Sequence, residues 1–220
     1  MFGKLFSKKR EATRNPDKIW RTGERKRADI VRIAKEAAVQ QMQVVLVAHF
    51  RETFTKYQGA LQEAGIHARS FSSSIDRLTA KSLFVRPSAG AVALFLASAL
   101  PESAATEEAP ADSDVRVQFI VVERYPLPTP DRRVEALADT VPHDTEIEFH
   151  GAFDEPLFRM FGAERLLHIL DQLGVASDEC ISHAAVSKAV HNAQEKIAEK
   201  VLVESPAASV EEWMKLNIPE

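Results

Sequence analysis

The run Val44-Val45-Leu46-Val47-Ala48 decides the fold class of this chain. It is too short for an ordinary helix and rich in β-branched residues, which is typical of a strand buried on both faces of a parallel sheet. After it, apolar residues recur every three or four positions through residues 50–64, and Gly65 stands where a helix C-cap is expected. A second strand is predicted over residues 67–71. Strand, helix and strand form a unit whose right-handed crossover implies a parallel sheet with helices on its faces.

The regions on either side continue this α/β pattern. Residues 22–39 predict a charged helix with Thr22 as its N-cap. Downstream of the unit, local patterns predict a helix over 74–80 capped by Ser72-Ser73-Ser74, a strand over 83–85, a helix over 90–100, a strand over 115–122, a helix over 131–141 and a strand over 145–149. Residues 90–100 also fit a buried strand, but we favour a helix there. Pro126, Pro128 and Pro130 predict an extended connection, and the sheet is expected to have about five strands.

The domain organisation follows from these patterns and from composition. Residues 1–16 are basic and predict a flexible N-terminal segment, whereas residues 17–153 predict the α/β domain. Within that domain, residues 101–114 combine acidic residues with Ala, Ser and Pro and predict a flexible acidic loop. Residues 154–220 predict a helical C-terminal module that ends in a short capped helix over 209–216. One stripe of this module consists of Val186, Ala189, Val190, Ala193, Ile197 and Val201.

Composition limits the classes of partner and compartment. The formal net charge of −4 and the pI near 6.0 give the chain no overall attraction to nucleic acid or anionic lipid. Its single cysteine, Cys180, forms no internal disulfide, which favours a reducing compartment. No apolar run approaches the roughly 20 residues that a transmembrane helix needs, and the first six residues lack the features of a secretion signal. We therefore expect a cytoplasmic protein, with a peripheral position at the inner face of the membrane as the alternative.

Two stretches resemble the SecA preprotein translocase family. The first combines Asp17-Lys18-Ile19-Trp20-Arg21-Thr22 with the strand at 44–48 and the segment Leu61-Gln62-Glu63-Ala64-Gly65-Ile66-His67. The second runs from Phe158-Arg159-Met160-Phe161-Gly162-Ala163-Glu164-Arg165 through Ile181-Ser182-His183 to Asn192-Ala193-Gln194-Glu195-Lys196. Together they cover roughly half of the chain. The resemblance implies a RecA-like second nucleotide-binding domain that runs into the start of the SecA helical scaffold.

The motifs for nucleotide hydrolysis are missing from the sequence. It contains no Gly-x-x-x-x-Gly-Lys-Thr loop and no acidic box, nor the Gly-Arg-Gly-Thr-Asp and Gln-x-x-Gly-Arg-x-x-Arg elements of SecA-like second domains. Arg132 and Arg133 stand where the arginine-rich element belongs, but without its glycine they are more simply surface residues of a helix. Phosphoryl transfer needs backbone donors, a lysine and a metal-holding acid. We expect no enzyme activity and no cofactor, while ATP binding without hydrolysis stays open.

Candidate ligand-binding residues lie where strands end. His49 and Arg51 follow the central strand and Glu123 follows the strand at 115–122, at the edge where open α/β sheets bind ligands. The alternative, which we favour, is a loop histidine and a surface arginine at a site that has lost its function. Cys180, His183 and His191 group the residue types that bind metals, but their spacing fits no known ligand pattern. We expect no metal and assign Cys180 and His183 to a helix-entry turn.

The N-terminus is the best candidate for an interaction with lipid. It combines apolar and basic residues that suit an anionic membrane surface: Phe2, Lys4, Leu5, Phe6, Lys8, Lys9 and Arg10. The alternative is a solvated, disordered terminus.

Three hypotheses for function follow. The leading one is a non-catalytic SecA-like accessory module that binds the translocation machinery, SecA itself or the adjacent membrane. The second is a degenerate helicase-like domain that binds nucleic acid through the basic helix at residues 21–35. The third is an unrecognised enzyme that uses His49, Arg51 and Glu123.

Overall fold

The computed structural model describes residues 11–104, 114–160, 163 and 179–218. Its strands are β1 Thr13–Arg14, β2 Lys18–Trp20, β3 Met42–Ala48, β4 Ala68–Phe71, β5 Val92–Leu96, β6 Arg116–Val121, β7 Thr145–Ala152 and β8 Ile181–Ser182. Its helices are α1 Gly23–Glu36, α2 Arg51–Glu63, α3 Arg77–Phe84, α4 Pro128–Ala138, α5 Pro156–Met160, α6 Ala184–Ala198 and α7 Val210–Asn217. A 3-10 turn, Ala97–Ala99, follows β5.

The strands form one mainly parallel sheet. Its order is β4-β5-β3-β6-β7-β2-β8, and β1 also pairs with β7. Among the described strands, only β8 runs antiparallel to its neighbour, β2. All seven residues of β3 are buried, as expected for the central strand. The α/β class predicted from the sequence is confirmed, because the sheet is mainly parallel and flanked by helices.

The sheet has more strands than the five that the sequence predicts. Four of its strands are not among those predicted: β5, which lies where a helix is expected, and the short strands β1, β2 and β8, of two, three and two residues. Such short strands give no alternating apolar pattern, and β1 and β2 pair with β7 from more than a hundred residues away. Local sequence therefore carries no signal for them.

Helices cover both faces of the sheet. On one face, α1 and α2 pack through residues such as Ile30, Phe54 and Leu61 against Val44 and Leu46. The opposite face packs against α3 and α4, which bury Phe84 and Leu137 among others. Because alternate residues of each strand point to opposite faces, the two clusters share strands but not side chains.

The unit around β3 matches its prediction. Thr22 caps α1, and its hydroxyl accepts a hydrogen bond from the backbone N of Arg25 at 3.3 Å. Gly65 follows α2 with φ of 71°, a left-handed conformation that favours glycine at a helix C-terminus.

Two predictions between β4 and β6 are wrong. Residues 83–85 form the end and C-cap of α3 instead of a strand, and α3 is capped by Asp76 and not by the serine run. Residues 90–100 contain β5 and the 3-10 turn instead of a helix. All five residues of β5 are buried, so its apolar run has no polar face from which a helical or strand period can be recognised.

The start of α4 also differs from its prediction. The helix begins at Pro128, three residues earlier than expected, with proline in its first turn. Proline is tolerated there because the backbone N–H of that turn has no partner within the helix. Pro128 and Pro130 therefore belong to the helix and not to an extended connection.

The C-terminal helices pack around Trp213, whose side chain is fully buried in a third apolar cluster with Ile19, Phe50 and Phe158. Of the predicted stripe, Val190 and Ile197 are buried in it, whereas Ala189 is exposed. Within the described residues, no helix has the length and apolar content to cross a bilayer.

Several predicted segments lie outside the described part of the chain. They include the candidate lipid-binding residues between Phe2 and Arg10 and residues 105–113 of the predicted acidic loop. The domain boundaries at 16/17 and 153/154 stay predictions.

Candidate functional site at the carboxyl edge of the sheet

Glu123 occupies the N-terminus of α2. Its Oε1 accepts hydrogen bonds from the backbone N of His49 and of Phe50, at 3.0 and 3.1 Å, and its Oε2 accepts one from Thr53 Oγ1 at 2.7 Å. The N-cap residue Phe50 supplies no side-chain hydrogen bond of its own. Glu123, two residues after the end of β6, therefore supplies the carboxylate that a helix N-terminus attracts.

The Glu123 carboxylate is buried, and its burial raises its pKa. The positive charge of Lys26 and the hydrogen bond from Thr53 act in the opposite direction. Desolvation disfavours the charged form of any carboxyl group, whereas donated hydrogen bonds favour it. Burial thus makes the negative charge of Glu123 unfavourable, while Lys26 and the donated hydrogen bonds stabilise it.

Lys26 faces the interior and not the solvent. Its side chain is 4% exposed, and its Nζ donates to the carbonyl oxygen of Val122 at 2.6 Å and pairs with Glu155. Lys26 is one of the cations of the basic helix predicted over residues 21–35. On the same helix, Arg32 forms ion pairs with Asp29 and Glu36. The basic surface proposed for residues 21–35 is accordingly smaller than its sequence suggests.

Arg124 joins two buried carboxylates. Its Nε and Nη2 donate to the two oxygens of Asp17 at 2.8 and 2.6 Å, and its Nη1 donates to Asp131 Oδ2 at 3.0 Å. The guanidinium carbon lies 3.6 Å from the centre of the Phe149 ring, where a cation–π contact is favourable. This bidentate and stacked arrangement suits arginine and not lysine.

His49 is held by the same network. Its Nε2 lies 2.8 Å from Asp131 Oδ1, and its side chain is 1% exposed. Burial alone would raise the pKa of Asp131, but the contact with His49 and the charge of Arg124 outweigh it and lower that pKa. Gln194 of α6 donates to Asp131 Oδ2 at 2.7 Å and thereby connects α6 to the network.

The C-terminal segment covers the first turn of α2. The Tyr125 ring stacks on the ring of Phe50, with 5.2 Å between centroids. Both the Tyr125 hydroxyl and Trp213 Nε1 donate to the carboxylate of Glu204. Nearby, the backbone N of Glu52 donates to the carbonyl oxygen of residue 208 at 3.1 Å. The backbone N–H groups of His49, Phe50 and Glu52 are thus satisfied by the chain itself.

The structure brings together only part of the predicted site. His49 and Glu123 are adjacent, whereas Arg51 is exposed on the first turn of α2 and takes no part in the network. The sequence analysis missed Asp17, Arg124 and Asp131. Arg124 carried a usable signal, because it stands next to Glu123 just after a buried apolar strand, and charged residues in that place lie at the carboxyl edge. The other two gave no such signal.

The remaining candidates occupy separate surface positions. His183 Nδ1 accepts a hydrogen bond from the backbone N of Ala185 at 3.1 Å and caps α6, which confirms its predicted place at a helix entry. His191 is exposed and lies 3.5 Å from Glu195. Across the described ranges, no three or more His, Cys, Asp or Glu side chains are grouped as a metal site would require. Arg132, exposed on α4, pairs with Glu195.

The comparisons with known proteins point to SecA over part of the chain. No family model matches the sequence. The protein translocase subunit SecA of Alkaliphilus oremlandii is 31% identical over 81 residues, which are 37% of this chain and 9% of that protein. The SecA proteins of Clostridium botulinum and Christiangramia forsetii are 32% and 30% identical over 81 residues, or 10% and 7% of their lengths. The chain therefore matches about a tenth or less of these relatives.

Solved structures with a similar fold include two ATPase or helicase domains. The C-terminal part of the Fun30 ATPase domain has a TM-score of 0.42 at 13% identity and covers 79% of this chain and 54% of its own. The helicase domain of Pyrococcus furiosus Hef has a TM-score of 0.41 at 18% identity, with coverages of 64% and 28%. The sequence similarity covers 37% of the chain, which is less than the half inferred from its motifs. This chain is thus an α/β protein with a segment of 81 residues that is similar to SecA.

Proposed function

We propose that this chain is a non-catalytic SecA-like accessory module, which acts by binding SecA itself or another component of the translocation machinery. Similarity to SecA supports the connection with protein translocation. The occupation of the α2 N-terminus by Glu123 supports the absence of catalysis, and it is the observation on which the proposal depends.

A helix N-terminus behind a central parallel strand is a common place for a phosphate, because its backbone N–H groups and dipole favour negative charge. Here the N–H groups of His49 and Phe50 donate to Glu123, and that of Glu52 donates to the chain near the start of α7. A phosphate would have to displace a carboxylate that accepts three hydrogen bonds. Its charge would also be repelled by that carboxylate.

The groups that would stabilise phosphoryl transfer are also lacking or engaged. The sequence has no Gly-x-x-x-x-Gly-Lys-Thr loop, and Lys26, the buried lysine at this edge, is paired with Glu155. Phosphoryl transfer depends on a lysine and a metal ion that neutralise the developing charge. We therefore propose that ATP is neither hydrolysed nor bound at this edge.

Phosphate release and titration calorimetry test this part of the proposal. Purified protein with MgATP should release phosphate no faster than a buffer blank, and ATP should produce no binding heat. Phosphate release that disappears in a Glu123→Gln variant would show that the edge is catalytic. It would overturn the proposal, because a contaminating ATPase would not respond to that substitution.

A pair of exposed apolar side chains offers a contact for the partner. Leu202 and Val203, in the connection between α6 and α7, are 93% and 85% exposed. Isolated apolar residues on a surface are ordinary, but two adjacent ones that project into solvent favour a protein contact. Leu78 on α3 is 79% exposed and stands alone, so it provides a matched control.

Binding of the immobilised protein to purified SecA and to the translocation channel tests this contact. We expect retention by the wild type, a loss of about tenfold in affinity for Leu202→Ser with Val203→Ser, and no change for Leu78→Ser. If the wild type retains neither component, the proposed connection with translocation is wrong. If the double substitution matches the wild type, the contact lies elsewhere on the molecule.

The proposal places the protein in the cytoplasm, where SecA-dependent translocation begins, and peripherally at the membrane. Binding to vesicles that contain anionic lipid, compared with a variant lacking residues 1–10, tests the membrane part. Nucleic-acid binding through α1 is less well supported, since Lys26 is buried and Arg32 is paired.

A further inference from the structure

A cavity of about 450 Å³ opens beside the buried network, at the carboxyl ends of β3 and β5. Its polar lining comes from five residues that we call the His49 cavity residues: His49, Ser98, Glu102, Tyr125 and Arg133. Volumes of this size are typical of sites for small molecules, and the carboxyl edge of an α/β sheet is where such sites form. The cavity differs from the α2 N-terminus, which Glu123 fills.

One wall of the cavity is fixed by the network behind it. His49 is held through Nε2 by Asp131, which in turn accepts a hydrogen bond from Arg124 at 3.0 Å. The Tyr125 ring packs edge-on against the imidazole, with 5.3 Å between centroids. A wall whose side chains are already ordered loses little conformational entropy when a ligand binds.

Two charged residues on other walls are not paired with each other. Arg133 belongs to α4, and Glu102 follows the 3-10 turn after β5. Neither side chain forms a hydrogen bond or an ion pair with any other residue that the structure describes. The neighbouring Arg132, which lies outside the cavity, is paired with Glu195. The cavity therefore presents one cation and one anion to whatever enters it.

The rest of the lining is mainly apolar. It includes Leu100 and Val134, which lie on the β5 side and the α4 side of the opening. The cavity thus combines an acceptor for positive charge, a donor for negative charge and an apolar surface. A ligand that satisfies all three carries a carboxylate, an ammonium group and a short hydrocarbon side chain.

We propose that the His49 cavity binds a small zwitterion of the α-amino-acid type. The carboxylate of the ligand pairs with Arg133, its ammonium group pairs with Glu102, and its side chain contacts Leu100 and Val134. The Ser98 hydroxyl lines the same opening and supplies a further hydrogen bond. This binding function goes beyond a role in translocation and does not depend on it.

Ligand-observed NMR and calorimetry with three related compounds test the proposal. L-Leucine carries both charges, 4-methylpentanoate lacks the ammonium group, and 3-methylbutylamine lacks the carboxylate. We expect leucine to bind at least about tenfold more tightly than either single-charge compound, since each charge-assisted pair contributes a factor of that order. Equal affinity for the three compounds, or no leucine signal up to about 10 mM, would overturn the proposal.

Substitutions at exposed positions assign the site without risk to folding. Arg133→Met and Glu102→Gln should each weaken leucine binding about tenfold, and Arg132→Met should leave it unchanged. Arg133→Met should also leave the affinity for 3-methylbutylamine unaltered, because that compound has no carboxylate. If Arg133→Met and Glu102→Gln both bind leucine as the wild type does, the ligand is not in this cavity. Circular dichroism confirms that each variant is folded.

Discussion

Replacing Glu123 with alanine should lower the free energy of unfolding by about 2–4 kcal/mol. The substitution leaves three donors, the N–H groups of His49 and Phe50 and the hydroxyl of Thr53, without their acceptor. Each unsatisfied buried donor costs about 1–3 kcal/mol. Part of this loss is offset, because the charged carboxylate no longer has to be desolvated and water can enter the space it leaves.

Urea unfolding followed by circular dichroism measures the effect. With a slope of about 2 kcal/mol per M, a loss of 3 kcal/mol lowers the midpoint by about 1.5 M. Glu123→Gln should cost less, about 1–2 kcal/mol, because its amide oxygen still accepts from the two backbone donors. Glu52→Ala, an exposed glutamate in the same helical turn, should change the stability by less than about 0.5 kcal/mol.

The pH dependence of the same variants provides a second measurement. Burial raises the pKa of Glu123 above its ordinary 4.5, so the folded state binds more protons at this group than the unfolded state does. The contribution of Glu123 to stability is therefore largest below pH 4.5 and declines as the pH rises through the raised value. The stability advantage of the wild type over Glu123→Gln should decline across the same range.

Added phosphate connects this prediction with function. Alanine at position 123 frees the N-terminal donors of α2, so phosphate should stabilise the variant and not the wild type. At about 50 mM phosphate and a dissociation constant of about 10 mM, the gain is about 1 kcal/mol. The reasoning is refuted if Glu123→Ala is as stable as the wild type, or if phosphate stabilises both proteins equally.

Three further predictions concern the network and the turns. Arg124→Met leaves the buried carboxylates of Asp17 and Asp131 without their cation and should lower the free energy of unfolding in urea by about 3–5 kcal/mol. Arg124→Lys should lower it by less. An unchanged urea midpoint for Arg124→Met would contradict the bidentate contact. The pKa of Asp131 lies below its ordinary 3.8. The ionised carboxylate therefore stabilises the folded state above that pH, and this stabilisation is lost as the pH falls through the lowered value. The cost of Asp131→Asn, large at pH 7, should therefore shrink in acid. Gly90→Ala should lower the free energy of unfolding, measured by thermal unfolding, by about 2–3 kcal/mol, because φ is 80° and the new Cβ would lie 2.8 Å from a side chain. Gly65→Ala meets no atom within 4 Å and should lower it by only about 1 kcal/mol.

The sequence predicted the elements whose local pattern and boundary residues agree. The helix α1 has an amphipathic period and a threonine cap, and α2 ends at a glycine, so both are recognisable from short windows. The strand β5 has neither feature, because it is apolar on both faces, and it was interpreted as a helix. The strand predicted over residues 83–85 is wrong for a related reason, since a few apolar residues at the end of a short helix resemble a short strand.

The candidate site was predictable only in part, for a physical reason. His49 and Glu123 each follow a buried strand, and parallel strands end at one edge, so their proximity follows from the fold class. Asp17, just before β2, and Asp131, in α4, reach the same edge through contacts with Arg124 that span 107 and 7 residues of sequence. Charges are ordinarily on the surface, so no rule of composition identifies the few that are buried in pairs.

The position of β2 between β7 and β8 has a consequence for synthesis on the ribosome. Trp20 of β2 and His150 of β7 are 130 residues apart in the chain, so β2 leaves the ribosome long before its first partner exists. At translation rates of about 5–20 residues per second, this delay lasts roughly 6 to 26 seconds. During that interval Ile19 and Trp20 have no strand to cover them, which gives chaperones a defined early segment to recognise.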